Sequence, residues 1–149
     1  MTTKQELYDF CRAFVDDRIM RIQNNIKGIQ ESLTSETKSS AGDKHETGRA
    51  MLQLEREKLG HQLAEAEKMK QTLVKVVVKN HFEKAQLGSW VKTSKADYFL
   101  AISAGEYKTK SQAVYCISIK TPIAQLLIGK SKHDRVMFNG TQIEIIDIL

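Results

Sequence analysis

The sequence predicts an α+β chain in two parts. Residues 1–79 form a long antiparallel α-helical coiled-coil hairpin, and residues 80–149 a small antiparallel β-sheet unit with one helix. Three observations predict this. Apolar residues recur at helical spacing through the first half of the chain, with no proline. After Val78 the period changes to short β-rich runs. The only proline, Pro122, and an Asn139-Gly140 dipeptide then stand where a helix start and a hairpin turn are needed.

The first helical stripe is cleanest through Ile19, Ile22, Ile26, Ile29 and Leu33, at alternating steps of three and four, and is continued upstream by Leu7, Cys11 and Phe14. The second takes Leu52, Leu59, Ala66 and Leu73 at every seventh position, with Leu63 and Met69 between them. The flanks are charged ("QLEREK", "EAEKMK"), as suits solvated faces. Neither stripe is wide enough for a fully buried helix, so each is expected to bury itself on the other. A short connection forces the pair antiparallel. About 30 residues per helix make a rod roughly 45 Å long, with its tip at Ser40–Gly48.

In the second part, "LGSWVKTS", "DYFLAIS" and "QAVYCISI" read as strands, with the turn-like "AGEYKTKS" between the last two. Thr121 is the expected N-cap of a helix with Pro122 at its first position, "IAQLLI" its apolar face and Gly129 its end. "RVMFNGTQIEIIDIL" reads as a hairpin about Asn139-Gly140. No Ser/His/Asp or Cys/His arrangement is visible there, so this part reads as a binding module.

Composition narrows the function. The chain has 149 residues, 41% of them hydrophobic and 28% charged, as expected of much solvated helix surface. Its longest apolar runs fall far short of the about 20 residues that span a bilayer. The N-terminus lacks the apolar core of a signal peptide, so a cytoplasmic protein with no membrane partner is expected. Cys11 and Cys116 have no CxxC neighbour and read as small buried residues, and the four histidines show no zinc spacing. A net charge of +5, with no dense basic block, permits contact with a nucleoprotein machine without arguing for autonomous nucleic-acid binding.

The least hydrophobic stretch, "SAGDKHETG", carries Asp43 and Glu46 three apart. The pair fits a capping box, in which the first carboxylate accepts from the N3 amide and the second reaches back to the N-cap amide. It also fits a conditional metal site: Mg²⁺ prefers oxygen ligands and keeps several waters, so two carboxylates alone bind it weakly and a second surface must complete the site. One carboxylate has two oxygens, so both roles can coexist.

"TPIAQLLIGKSKHDRVMFNGTQIEIIDIL" resembles the C-terminal signature of the Gre transcript-cleavage factors, the GreA/GreB family. "LGSWV" (87–91) is similar to the opening of that family's globular domain. Gly42, Asp43, Lys44, His45 and Glu46 match the family's Gly-Asp-x-x-Glu tip. Thr121 and His133 stand where the family has Ser and Gly, and Thr47-Gly48-Arg49-Ala50 replaces its segment after the tip Glu. The resemblance implies an antiparallel coiled coil followed by a small FKBP-like domain.

It also implies a transcription elongation factor, binding bacterial RNA polymerase as a monomer, whose hairpin enters the secondary channel. There Asp43 and Glu46 would help hold a Mg²⁺ shared with the polymerase, and cleavage of backtracked RNA would be stimulated. Lys44, His45 and Arg49 would lie near polymerase or nascent RNA, or be solvated. The chain would not itself be an enzyme, and it would not bind Mg²⁺ stably when free. Two alternatives stand beside this: a Gre-like channel regulator without cleavage stimulation, and a helical-hairpin interaction protein unrelated to transcription.

Overall fold

The computed structural model describes the backbone of residues 1–38 and 43–149, and the side chains of residues 1–35 and 46–149. The element order is α1 (Lys4–Lys38), α2 (Asp43–Val74), β1 (Trp90–Thr93), β2 (Asp97–Ala101), β3 (Gly105–Lys108), β4 (Ala113–Ser118), α3 (Pro122–Leu127), β5 (Arg135–Phe138) and β6 (Thr141–Ile148). The class is α+β, as the sequence predicts. By packing, the chain divides into a sheet unit, Met1–Phe14 with Gln71–Leu149, and a hairpin unit, Val15–Lys70.

In the hairpin unit the two stripes meet as expected. Ile22, Ile26, Leu59 and Ala66 form a buried cluster, with Ile19, Ile29 and Leu63 packed against it. The seam is narrow, and Met20, Met51 and Leu54 stay exposed. Polar links tie the helices together across the seam. Lys70 Nζ lies 2.8 Å from Asp16 Oδ1, and Arg18 Nη1 donates to Met69 Sδ at 3.6 Å. These pairings run antiparallel, Asp16 and Arg18 on α1 meeting Lys70 and Met69 on α2.

The sheet unit holds six strands in the order β3-β4-β2-β1-β6-β5. All neighbours pair antiparallel except β2 and β4, which run parallel from Asp97↔Val114 to Ala101↔Ser118. The expected all-antiparallel sheet is therefore mixed. The cause lies in "AGEYKTKS", read as a turn, which contains strand β3. Gly105–Lys108 is largely exposed, whereas Val114 and Cys116 of β4 are buried. The apolar strand takes the interior place beside β2, and the polar one is left at the edge, where its unpaired backbone faces water.

Side-chain alternation gives the sheet two buried faces. On one, Val91, Tyr98, Leu100, Ile143 and Ile145 pack with Ile123, Ala124 and Leu127 of α3. The other carries Phe99 and Cys116, cross-strand partners that are both buried. The same unit buries Leu7 and Cys11 from α1 and Leu73 from α2.

Local signals hold where the sequence predicts them. Thr121 Oγ1 accepts from Ala124 N at 3.4 Å, Pro122 opens α3, and Gly129 follows with φ +81°. Asn139 and Gly140 have φ of 50° and 75° between Phe138 and Thr141, which are paired in register. Two positive values in a two-residue loop are those of a type I′ hairpin. Thr3 Oγ1 accepts from Glu6 N at 3.2 Å and caps α1.

Candidate functional site

The predicted site residues lie at the start of α2. The sequence reads Ser40–Gly48 as a loop, but α2 begins at Asp43, so Asp43 to Gly48 are helical. Residues 39–42 and the side chains of Asp43, Lys44 and His45 lie outside the described residues. Glu46 is exposed and Arg49 half-buried.

Asp43 and Glu46 stand three positions apart on the helix, which places them at neighbouring positions of one helix face. The first four amides of a helix lack intrahelical acceptors, and the aligned peptide dipoles favour negative charge there. A helix start of this kind favours acidic residues in its first turn.

The donor set fits Mg²⁺ in kind, since carboxylate oxygens are its preferred ligands. In number it is partial, because two carboxylates leave most of an octahedral shell to water or to another surface. Among the described residues no group of three or more His, Cys, Asp or Glu side chains could hold a metal ion.

Elsewhere the structure brings together groups that sequence spacing does not reveal. In the sheet unit, Trp90 Nε1 donates to Asp97 Oδ2 at 3.3 Å, and Lys92 Nζ sits 4.6 Å from the Trp90 ring centroid. Burial lifts the Asp97 carboxyl above its ordinary value, and the Trp90 N–H and the Lys92 charge offset part of that rise. Tyr107 donates to Glu6 Oε2 at 3.0 Å and meets the Phe10 ring edge-on at 5.4 Å. The hydrogen bond to Glu6 pushes the Tyr107 phenol up.

Cys11 and Cys116, far apart in sequence, are both free and buried. Interaction with the Cys11 thiol, then burial, raises the Cys116 thiol well above the ordinary range. In the hairpin unit, Arg18, Arg21, Asn25, His61, Gln62 and Glu65 line a polar groove over Ile22 and Ala66. Arg21 Nε is bound to Asp17 at 3.1 Å. None of these groupings forms a nucleophile–base pair.

No protein-family model matches this chain, and no curated protein does. The chain is similar to a solved structure described as that of the transcription factor Gfh1, at 17% sequence identity over 88% of this chain and 92% of that chain, with a TM-score of 0.35. No helix among the described residues is long and apolar enough to cross a membrane.

Proposed function

We propose that this protein binds bacterial RNA polymerase, presents Asp43 and Glu46 through the secondary channel and stimulates cleavage of backtracked RNA, as the Gre resemblance implies. The observation that carries the reading is the backbone position of Asp43 and Glu46. They share the first turn of α2, with only residues 39–42 between that helix and the end of α1. Three positions apart on a helix, they stand at neighbouring places on one face, so a hairpin that reaches a metal-containing site would bring two acidic residues to it together.

Asp43 and Glu46 would help hold a Mg²⁺ shared with the polymerase, which would supply Lewis-acid stabilisation in phosphodiester hydrolysis. Asp43 and Glu46 complete a ligand set that this chain does not supply alone, and the remaining chemistry belongs to the polymerase. The sheet unit offers no catalytic arrangement among its described residues and serves as the anchor.

Pull-down of core polymerase, followed by cleavage of a stalled, backtracked complex, tests the proposal. Binding with stimulated cleavage supports it. Binding without cleavage assigns the second reading, a channel regulator, which the departure at Thr47-Gly48-Arg49-Ala50 favours. Failure to bind polymerase rejects both and leaves a helical-hairpin protein outside transcription.

A further inference from the structure

Cys11 and Cys116 are the nucleophilic side chains that the proposed function does not use. Backbone register places them together without reference to their titration. Tyr107 of β3 pairs with Val114 of β4, two residues before Cys116, which puts Tyr107, Val114 and Cys116 on one sheet face. Glu6 and Phe10 of α1 both meet Tyr107. Cys11 follows Phe10 and is fully buried, as is Leu7 one turn before it. The first turns of α1 therefore lie on the face that carries Cys116, and both thiols are buried on that side of the sheet.

We propose that Cys11 and Cys116 form a reversible disulfide that staples the start of α1 to strand β4 when the protein meets a small-molecule disulfide oxidant. The resting pair is protected. Both thiols are desolvated, and a protonated, buried thiol is a poor nucleophile. Reaction follows local opening of the first turns of α1, which brings a thiol to solvent.

An exposed thiol then loses its proton to solvent and attacks the oxidant's S–S bond, forming a mixed disulfide and releasing one small thiolate, which takes up a proton. The second cysteine's thiolate attacks the protein sulfur of that mixed disulfide and releases the second small thiol. The two cysteines are oxidised and the oxidant is reduced to two thiols. The product links residues distant in sequence, and such a long closed loop restricts the unfolded chain strongly.

The full-length protein is incubated with oxidised glutathione, quenched in acid, alkylated under denaturing conditions and weighed intact. The expected product takes up no alkyl groups, is lighter than the reduced protein by about 2 Da for the two hydrogens lost, and yields one linked peptide containing Cys11 and Cys116. Its thermal midpoint should rise by several degrees, and dithiothreitol should reverse both changes. Two alkylatable thiols after prolonged oxidation would overturn the proposal. So would glutathione adducts or linked dimers as the only products, or a linked product that melts no higher than the dithiol. Cys11→Ala, which avoids burying a hydroxyl, should abolish the linked peptide, and the wild-type masses decide the matter if that variant does not fold.

Discussion

Lys70 Nζ on α2 lies 2.8 Å from Asp16 Oδ1 on α1, one of the polar ties across the hairpin seam. Both side chains are more than two-fifths exposed, so water and salt screen the pair, and such pairs contribute about 0–1 kcal/mol. Leu59, only 5% exposed in the seam, is different. Its truncation removes apolar contacts from a packed cluster, and such changes cost about 2–5 kcal/mol. Lys70→Ala should therefore lower stability by less than about 1 kcal/mol, with the loss shrinking in high salt, whereas Leu59→Ala should cost at least twice as much. Urea unfolding of both variants checks the ranking, and the reverse order would show that the ion pair rather than the apolar seam secures the hairpin.

His133 offers a gain in stability. Its φ is 77°, in the left-handed region, held there by its amide donating to Ile145 O at 2.8 Å. That conformation costs a residue with a Cβ about 1–2 kcal/mol, while glycine's extra freedom in the unfolded chain returns about 0.5–1 kcal/mol of the benefit. His133→Gly should stabilise the protein by up to about 1 kcal/mol. A destabilised variant in the same unfolding assay would mean that the imidazole contributes more than the strain costs.

Asp97 makes stability depend on pH. Its folded-state carboxyl is held above the ordinary 3.8, first by burial, so the folded protein binds that proton more tightly than the unfolded chain does. The resulting stabilisation is fully present below 3.8 and is lost as pH rises through the folded value. Asp97→Asn keeps an acceptor for the Trp90 N–H and cannot ionise. The variant should gain on the wild type as pH rises from acid toward neutral, read as the difference between their urea midpoints. A difference that stays constant over that range would remove Asp97 from the account.

The tip carboxylates separate capping from metal binding. Asp43→Asn and Glu46→Gln preserve size and hydrogen-bonding oxygens while removing charge. Each should cut stimulated RNA cleavage by well over tenfold while changing stability by less than about 1 kcal/mol. Unimpaired cleavage by either variant would confine these residues to starting the helix. The free protein should show no tight Mg²⁺ uptake by calorimetry, because its own donor set is partial.

A fragment of residues 80–149 should not reproduce the sheet unit. Leu7, Cys11, Leu73 and Val76 are buried in that unit and are missing from the fragment. Without them the sheet face bearing Phe99 and Cys116 is exposed, and a large exposed apolar patch favours aggregation. The fragment should bind a hydrophobic dye and melt without cooperativity. A sharp thermal transition matching that of the full chain would show that the helix ends are dispensable.

The sequence by itself determined the features that depend on neighbours along the chain. Helical period placed Ile22, Ile26, Leu59 and Ala66 in the seam, Thr121-Pro122 started α3, and Asn139-Gly140 closed its hairpin, because caps, turns and amphipathic faces are local effects. A helix start at Asp43 was legible as the capping box of Asp43 and Glu46, although the same residues also read as a loop at the tip, because polar residues suit a helix's first turn as well as a loop. Tertiary structure alone decided which strand became an edge, since Gly105–Lys108 carries a weak β signal and only competition with the more apolar β4 assigned its place. It also decided that Cys11 and Cys116 are both buried in one unit, that Asp97 accepts from Trp90, and that the start of α1 and the end of α2 belong to the sheet unit. Those relations join residues far apart in sequence, and burying apolar area is indifferent to chain distance, so no local pattern could announce them.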